Sequence, residues 1–281
     1  MLELTVLASG SQGNASVVRA GDRLILIDAG LSPKATRERM FTALRAMPEQ
    51  ATDLLLTHLD ADHWRETWRR PLLRTTMRVH MHRSHLREAL RLGVPETHAV
   101  PFDECADLGG GLSFHACHLP HDDRGSTAYL LERRCAQGVT RLGFATDLGR
   151  VPMRLLEHFR DLDCLALESN YDHAMEEASD RPRFLKERVM GGRGHLSNEE
   201  SLEAALAVAS TSELQAIVLL HLSLQCNRPD IVERLWSERA GHLRDRLTIS
   251  EQFRPAPTVV ARPRAREQLL RPAGSLFDGE R

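Results

Sequence analysis

Several signals that would narrow the class of this chain are missing from it. No uninterrupted apolar run approaches the roughly 18 residues of a bilayer-crossing helix, which argues against a membrane protein. The first residues carry no basic start followed by an apolar core, so the expectation is a chain that is not exported. The five cysteines, Cys105, Cys117, Cys135, Cys164 and Cys226, form no C-x-x-C pair. That disfavours a zinc knuckle or a redox motif and fits a reducing cytoplasm. A net charge of -2, with 27% charged residues, gives no global pull on nucleic acid, so any such binding must be local. The glycine-containing stretch at Ser9-Gly10-Ser11-Gln12-Gly13-Asn14 has neither the lysine of a P-loop nor a complete G-x-G-x-x-G, which disfavours a nucleotide cofactor. No internal repeat is detectable, although duplicated βα halves diverge easily.

What is present is a regular alternation of short apolar runs and helical stretches. Strands are expected at residues 2–6, 16–19, 24–28, 53–57, 78–82, 112–117, 127–132, 141–145, 164–168 and 216–220. Helices are expected at 33–44, 64–73, 84–92, 152–158, 198–209 and 229–240; Ser32 and Pro33 supply the N-cap and first-turn pair of the first. Early strand runs followed by alternating helices and strands suggest two sheets with helices outside. Residues 1–253 form one expected domain. Residues 254–281 form a Pro/Arg-rich extension with a last strand at 258–260 and an expected disordered remainder.

The chemistry concentrates in His58-Leu59-Asp60-Ala61-Asp62-His63, directly beyond the buried run at 53–57. Imidazoles and carboxylates issuing from one strand-end turn suit a divalent cation, since nitrogen and oxygen donors bind zinc and also accept manganese or iron. Isolated histidines and acids follow later strands: His121, Asp147 in Ala145-Thr146-Asp147-Leu148-Gly149, and His221 in Leu219-Leu220-His221-Leu222-Ser223.

Together with Ala8 to Asn14, Leu26-Ile27-Asp28-Ala29-Gly30, His121-Asp122, Leu167-Glu168-Ser169-Asn170 and Gly194-His195-Leu196-Ser197-Asn198, these segments resemble the metallo-β-lactamase-fold hydrolases. More narrowly, they resemble the YycJ/WalJ-like exonuclease branch. The resemblance runs from residue 1 to about 248. It implies a four-layer αββα sandwich, and it places His58 and His121 on one metal, Asp62, His63 and His221 on a second, and Asp147 between them. The superfamily pattern H-x-H-x-D-H has a second histidine where this chain has Asp60, a harder donor that tilts the first site toward manganese without excluding zinc. Two such cations, Zn or Mn, would hold and activate a bridging hydroxide for attack on phosphorus or carbonyl carbon. The implied roles are Asp62 orienting the nucleophile and His195 contacting the scissile phosphate or protonating the leaving oxygen.

The implied activity is phosphodiester hydrolysis on nucleic acid, 5'-to-3' exonuclease-like. Hydrolysis of a small phosphodiester, thioester or lactone, or metal binding without turnover, stays open, as does association of two protomers into a homodimer. His115 and His118 are read as structural, and His80 and His82 as ordinary strand surface. Glu168 and Asn170 fit pocket residues or a solvated strand end equally well. Exposed N-H groups of the loop from Ser9 to Asn14 are expected to bind anionic oxygen. Arg65, Arg69, Arg70, Arg74, Arg78, Arg83, Arg87 and Arg91, with Trp64 and Trp68, fit either a track for single-stranded nucleic acid with stacking platforms or solvated helical faces over core tryptophans.

Overall fold

The computed structural model describes residues 1–121 and 124–265 of the 281, so Asp122 and the expected disordered remainder at 266–281 lie outside the described residues. Six strands, β1 (Leu2–Ala8), β2 (Ala15–Ala20), β3 (Arg23–Ile27), β4 (Asp53–Leu55), β5 (Arg78–His82) and β6 (Ala99–Phe102), build most of the first sheet. The second comprises β7 (Cys105–Gly109), β8 (Leu112–Leu119), β9 (Ser126–Cys135), β10 (Gly138–Ala145), β11 (Cys164–Glu168), β12 (Ala216–Leu220) and β13 (Leu247–Ile249). A last strand, β14 (Val259–Ala261), returns to pair with β1, so the orders are β14-β1-β2-β3-β4-β5-β6 and β13-β12-β11-β10-β9-β8-β7. In each sheet, three antiparallel pairings are followed by three parallel ones, a symmetry that no sequence repeat discloses.

Residue alternation along the parallel strands accounts for the layering. Ile25 and Ile27 of β3 face the space between the sheets, with Leu55, Phe114, Ala166 and Val218, whereas Leu24 and Leu26 point outward. Both faces are therefore buried, which is why these strands read as continuous apolar runs. Outside the first sheet lie α1 (Pro33–Leu44), the short α2 (Arg69–Leu72) and α3 (Leu86–Arg91). Outside the second lie α4 (Met153–His158), α7 (Asn198–Ala209) and α8 (Pro229–Arg239), whose Leu155, Leu202 and Trp236 pack on Leu165, Leu167 and Ile217. Two more helices, α5 (His173–Ala178) and α6 (Arg183–Met190), stand near the ends of the second sheet's parallel strands. The result is an αββα sandwich.

Local signals explain several boundaries. The Ser32 hydroxyl accepts from the Ala35 amide at 3.2 Å and starts α1. At α7, Ser197 accepts from the Glu200 amide at 3.1 Å while the Glu200 carboxylate accepts from the Ser197 amide at 2.8 Å, a reciprocal capping box. The expected helix at 64–73 shrinks to a 3-10 turn, Glu66–Trp68, and the four residues of α2. Here the indole N-H groups of Trp64 and Trp68 donate to the carbonyls of Leu92 and Leu31, tying the segment down at both tryptophans. His80 is not strand surface: it is buried, lies 2.8 Å from Asp53 and meets the ring of Phe114 edge-on. His80 lies on the face covered by the opposite sheet, which periodicity along one strand does not reveal.

Candidate metal centre

Every residue of the candidate centre issues from the carboxyl end of a strand or from the loop beyond one. Asp28 follows β3, Asp147 follows β10 and His221 follows β12, and all three adopt left-handed backbone, with φ of 61°, 55° and 58°. Such conformations cost about 1–3 kcal/mol each in non-glycine residues and collect where function requires a side chain to be redirected. The turn from 58 to 63 sits against Gly30, where an added Cβ would lie 1.6 Å from the carbonyl oxygen of Asp62. Only glycine permits that approach, so the end of β3 helps set the position of the histidine-rich turn.

Seven side chains named from the sequence converge. His58, Asp60 and His121 offer ligand atoms within 4.8 Å of one another, as do Asp62, His63 and His221; Asp147 joins His58 and His63 at the same limit. His63 Nε2 is 3.1 Å from Asp147 and 3.5 Å from Asp62, and His221 Nε2 is 3.5 Å from Asp62. Asp60 is the outlier: its carboxylate is 57% exposed and 3.8 Å from His58 Nε2.

The four imidazoles are held by the same device. His63 Nδ1 is 2.8 Å from Asp28, His58 Nδ1 3.1 Å from the Thr57 hydroxyl, His121 Nδ1 3.1 Å from the Gly194 carbonyl and His221 Nδ1 3.2 Å from Glu168. Asp28 in turn accepts from the Thr57 amide at 2.8 Å and from its hydroxyl. Anchoring one ring nitrogen fixes tautomer and ring direction for the other, as metal-binding histidines require. Nε2 of His58 and of His221 are buried without a hydrogen-bond partner, at a cost of about 1–3 kcal/mol each. Unsatisfied, aligned nitrogen donors among carboxylates fit a divalent cation.

The electrostatics mark where positive charge is favoured, by a proton or by a cation that displaces it. Burial, then the neighbouring His63, holds His58 well below its ordinary range, so its nitrogen is an available lone pair. Burial opposes charge on His63, yet Asp147, Asp28 and Asp62 outweigh it and hold that imidazole well above its ordinary range. For His221, burial is likewise outweighed, by Asp147, Asp62 and Glu168, and the group is pushed up to about 10.

His195 stands at the rim, 22% exposed, with Nδ1 2.7 Å from Glu168 and 3.6 Å from Asp147. Glu168 is wholly buried and also accepts from the Leu148 amide at 2.7 Å, so it is not a solvated strand end. Asn170 is buried too and donates to the His221 carbonyl at 2.7 Å. One carboxylate thus braces both His195 and His221. Ser11, Leu185, Arg188 and Val189 complete the walls of the cleft between His121 and His195.

Other expectations change. The amides of Ser9, Gly10, Gln12, Gly13 and Asn14 are all bonded within the protein, so the loop braces the site rather than presenting a row of free N-H groups. The Ser9 hydroxyl accepts from the His221 amide at 2.7 Å, and Asn14 Nδ2 lies 2.9 Å from His63 Nε2. Trp64 and Trp68 are buried and are core, not stacking platforms. Of the arginines, Arg78 pairs with Asp53, Arg83 with Asp103 and Arg91 with Glu88, while Arg69, Arg70, Arg74 and Arg87 are exposed. His118 is held by Thr127 and the Arg124 carbonyl and stacks on His82 at 4.1 Å; neither it nor the exposed His115 joins a metal grouping among the described residues. Sequence reasoning assigned no role to Asp28, Arg188 or His85; a lone acid, arginine or histidine carries no local signal of convergence.

Two sheets meeting at a cluster of anchored histidines and carboxylates define a hydrolase of the metallo-β-lactamase fold, a class whose members bind divalent metal. Residues 23–222 match the family described as the Beta-lactamase superfamily domain, and the chain belongs to that family. It is 30% identical over 270 residues to the exodeoxyribonuclease YycJ of Bacillus anthracis, covering 92% of this chain and 98% of the relative. It is 24% identical over 240 residues to the exodeoxyribonuclease WalJ of Streptococcus pneumoniae, covering 79% of this chain and 82% of the relative. Among solved structures it is similar to the metallo-β-lactamase fold protein YhfI of Bacillus subtilis, with a TM-score of 0.66 and 14% identity over 91% of this chain and 99% of that one. Among the described residues, no helix is long and apolar enough to cross a membrane.

Proposed function

We propose that this chain is a two-metal phosphodiesterase that shortens nucleic acid strands, with 5'-to-3' exonuclease activity as the specific expectation. In this reading His58, Asp60 and His121 hold one cation, Asp62, His63 and His221 the other, and Asp147 lies between them. The metals are zinc or manganese, and the protein works in the cytoplasm. The observation that carries it is the pair of buried, partnerless Nε2 atoms of His58 and His221 set among carboxylates. The exonuclease names of the relatives supply the substrate class. Five free cysteines fit a reducing compartment.

When bound, paired divalent cations lower the pKa of water and stabilise negative charge developing on a phosphoryl group. The residues supply the rest. Asp62, half-buried, accepts a hydrogen bond from the attacking water and sets its direction. His195 sits at the cleft rim with Nδ1 fixed by Glu168, which leaves Nε2 to donate a proton to the departing oxygen. Arg188 borders the same cleft and adds positive charge near a phosphate there.

The test is digestion of end-labelled single strands with manganese, zinc or chelator. Stepwise shortening from one end with added metal supports the reading. Turnover of small esters alone would move the chain to small-molecule hydrolysis, and no turnover with two metals bound would make it a binding module.

A further inference from the structure

In front of the candidate ligands His58, Asp60 and His121 lies a cavity of about 350 Å³, within the size range of small-molecule sites. His85, Glu88 and Arg124 line its far part, and it shares Asp60, His121 and Arg188 with the cleft that holds His195. The topology brings it there: β4 and β5 are parallel neighbours, so the turn after β4 carrying His58 and the 3-10 turn after β5, Arg83–His85, emerge at the same end. His85 is 1% exposed, and among the described residues the only polar partner within reach of its ring is the Gly125 backbone, so at least one ring nitrogen is unmet. An unmet ring nitrogen on a buried side chain is a standing cost, which a ligand in the cavity would remove.

We propose that this cavity seats the nucleotide unit flanking the scissile bond, and that His85 hydrogen-bonds to its base or sugar. This rests on the nuclease reading above. The walls say which part of a nucleotide fits. A cation held by His58, Asp60 and His121 would draw the phosphate to that wall, whereas Arg124 is already paired with Glu88 at 3.2 Å and His85 is uncharged at neutral pH, so the wall at His85 suits an uncharged part of the nucleotide. It offers donors and acceptors together, the pattern of a base edge or a sugar hydroxyl. Burial, then the neighbouring His118, His82 and Arg124, lowers His85 to about 4, so at neutral pH its ring presents one donor and one acceptor.

The test compares wild type with His85→Leu and His85→Gln on a single-stranded oligonucleotide and on bis(p-nitrophenyl) phosphate, which has no nucleotide. For His85→Leu, kcat/KM on the oligonucleotide should fall about tenfold relative to that on the small ester, mostly through KM, as expected for lost hydrogen bonds. His85→Gln should recover part of the loss. Deoxyadenosine 5'-monophosphate should inhibit wild type more strongly than His85→Leu, and the melting temperature should not drop, because the replacement removes an unpaired polar atom. Equal losses on both substrates with a lower melting temperature would make His85 structural and overturn the proposal. An unchanged oligonucleotide KM would also overturn it while leaving the nuclease reading intact. A wild type that cleaves the small ester but no oligonucleotide would remove the nuclease reading itself.

Discussion

Asp28 and His63, 35 residues apart, meet at 2.8 Å between carboxylate Oδ2 and imidazole Nδ1, both buried and both reached from adjacent parallel strands. That contact aims His63 Nε2 at Asp147 and Asp62. Replacing Asp28 with Asn keeps the volume but removes the charge that orients the ring. Metal affinity of the Asp62, His63 and His221 group should fall about 10–100-fold, a usual effect of losing such a support. Competition titration against a chromogenic chelator measures this; an unchanged affinity would mean that Thr57 suffices to hold the ring.

Glu168 braces His195 without belonging to the cleft surface. His195→Ala should lower turnover by about 10²–10⁴-fold, the usual range for a general acid, with both metals retained. Elemental analysis of the purified variant is the check. Loss of metal along with activity would make His195 a ligand, an alternative its grouping with Asp147, Glu168 and His221 keeps specific.

The partnerless Nε2 atoms of His58 and His221 predict that metal stabilises the fold. With free metal at about 100 times Kd, mass action adds about 2.7 kcal/mol to unfolding. Thermal melts with excess chelator and after re-addition of zinc or manganese should therefore separate clearly, and His58→Ala should narrow the gap. Superimposable melts would count against an intact binding site.

Asp53, on β4, is buried and paired with His80 and Arg78. Burial opposes its ionisation, but hydrogen bonds from His80, Arg78 and Thr52 prevail and hold its carboxyl below the ordinary range. A carboxylate with a depressed folded pKa contributes stability that is complete above its unfolded value, near 3.9, and that disappears as pH falls through the folded value. Asp53→Asn should therefore lower stability at pH 7 and flatten the acid limb below about pH 4. Urea titrations across that range read both effects; parallel curves for the two proteins would exclude the linkage.

Much of the architecture was legible in the amino-acid order because its causes are local. Apolar runs such as Leu24 to Ile27 and Ala216 to Leu220 mark strands buried on both faces, Ser32 with Pro33 marks a helix start, and four ligand-type residues within 58–63 mark a strand-end site. The segments missed, β6, β7, β13, α5 and α6, are short or carry mixed burial, so their periodicity is weak.

What only the tertiary structure decided is which polar residues meet. His80 and His82 alternate on one strand, yet Asp53 on the neighbouring strand claims His80, while His82 stacks on His118 from the other sheet. Glu168 becomes a brace because β11 lies between β10, which ends toward Asp147, and β12, which ends at His221. Asp28 and His85 acquire their surroundings the same way, from the parallel order β3-β4-β5. Chain pattern records neighbours within a few residues. Convergence of groups tens or hundreds of residues apart is set by strand order, register and the left-handed turns at strand ends, none of which is written in any one segment.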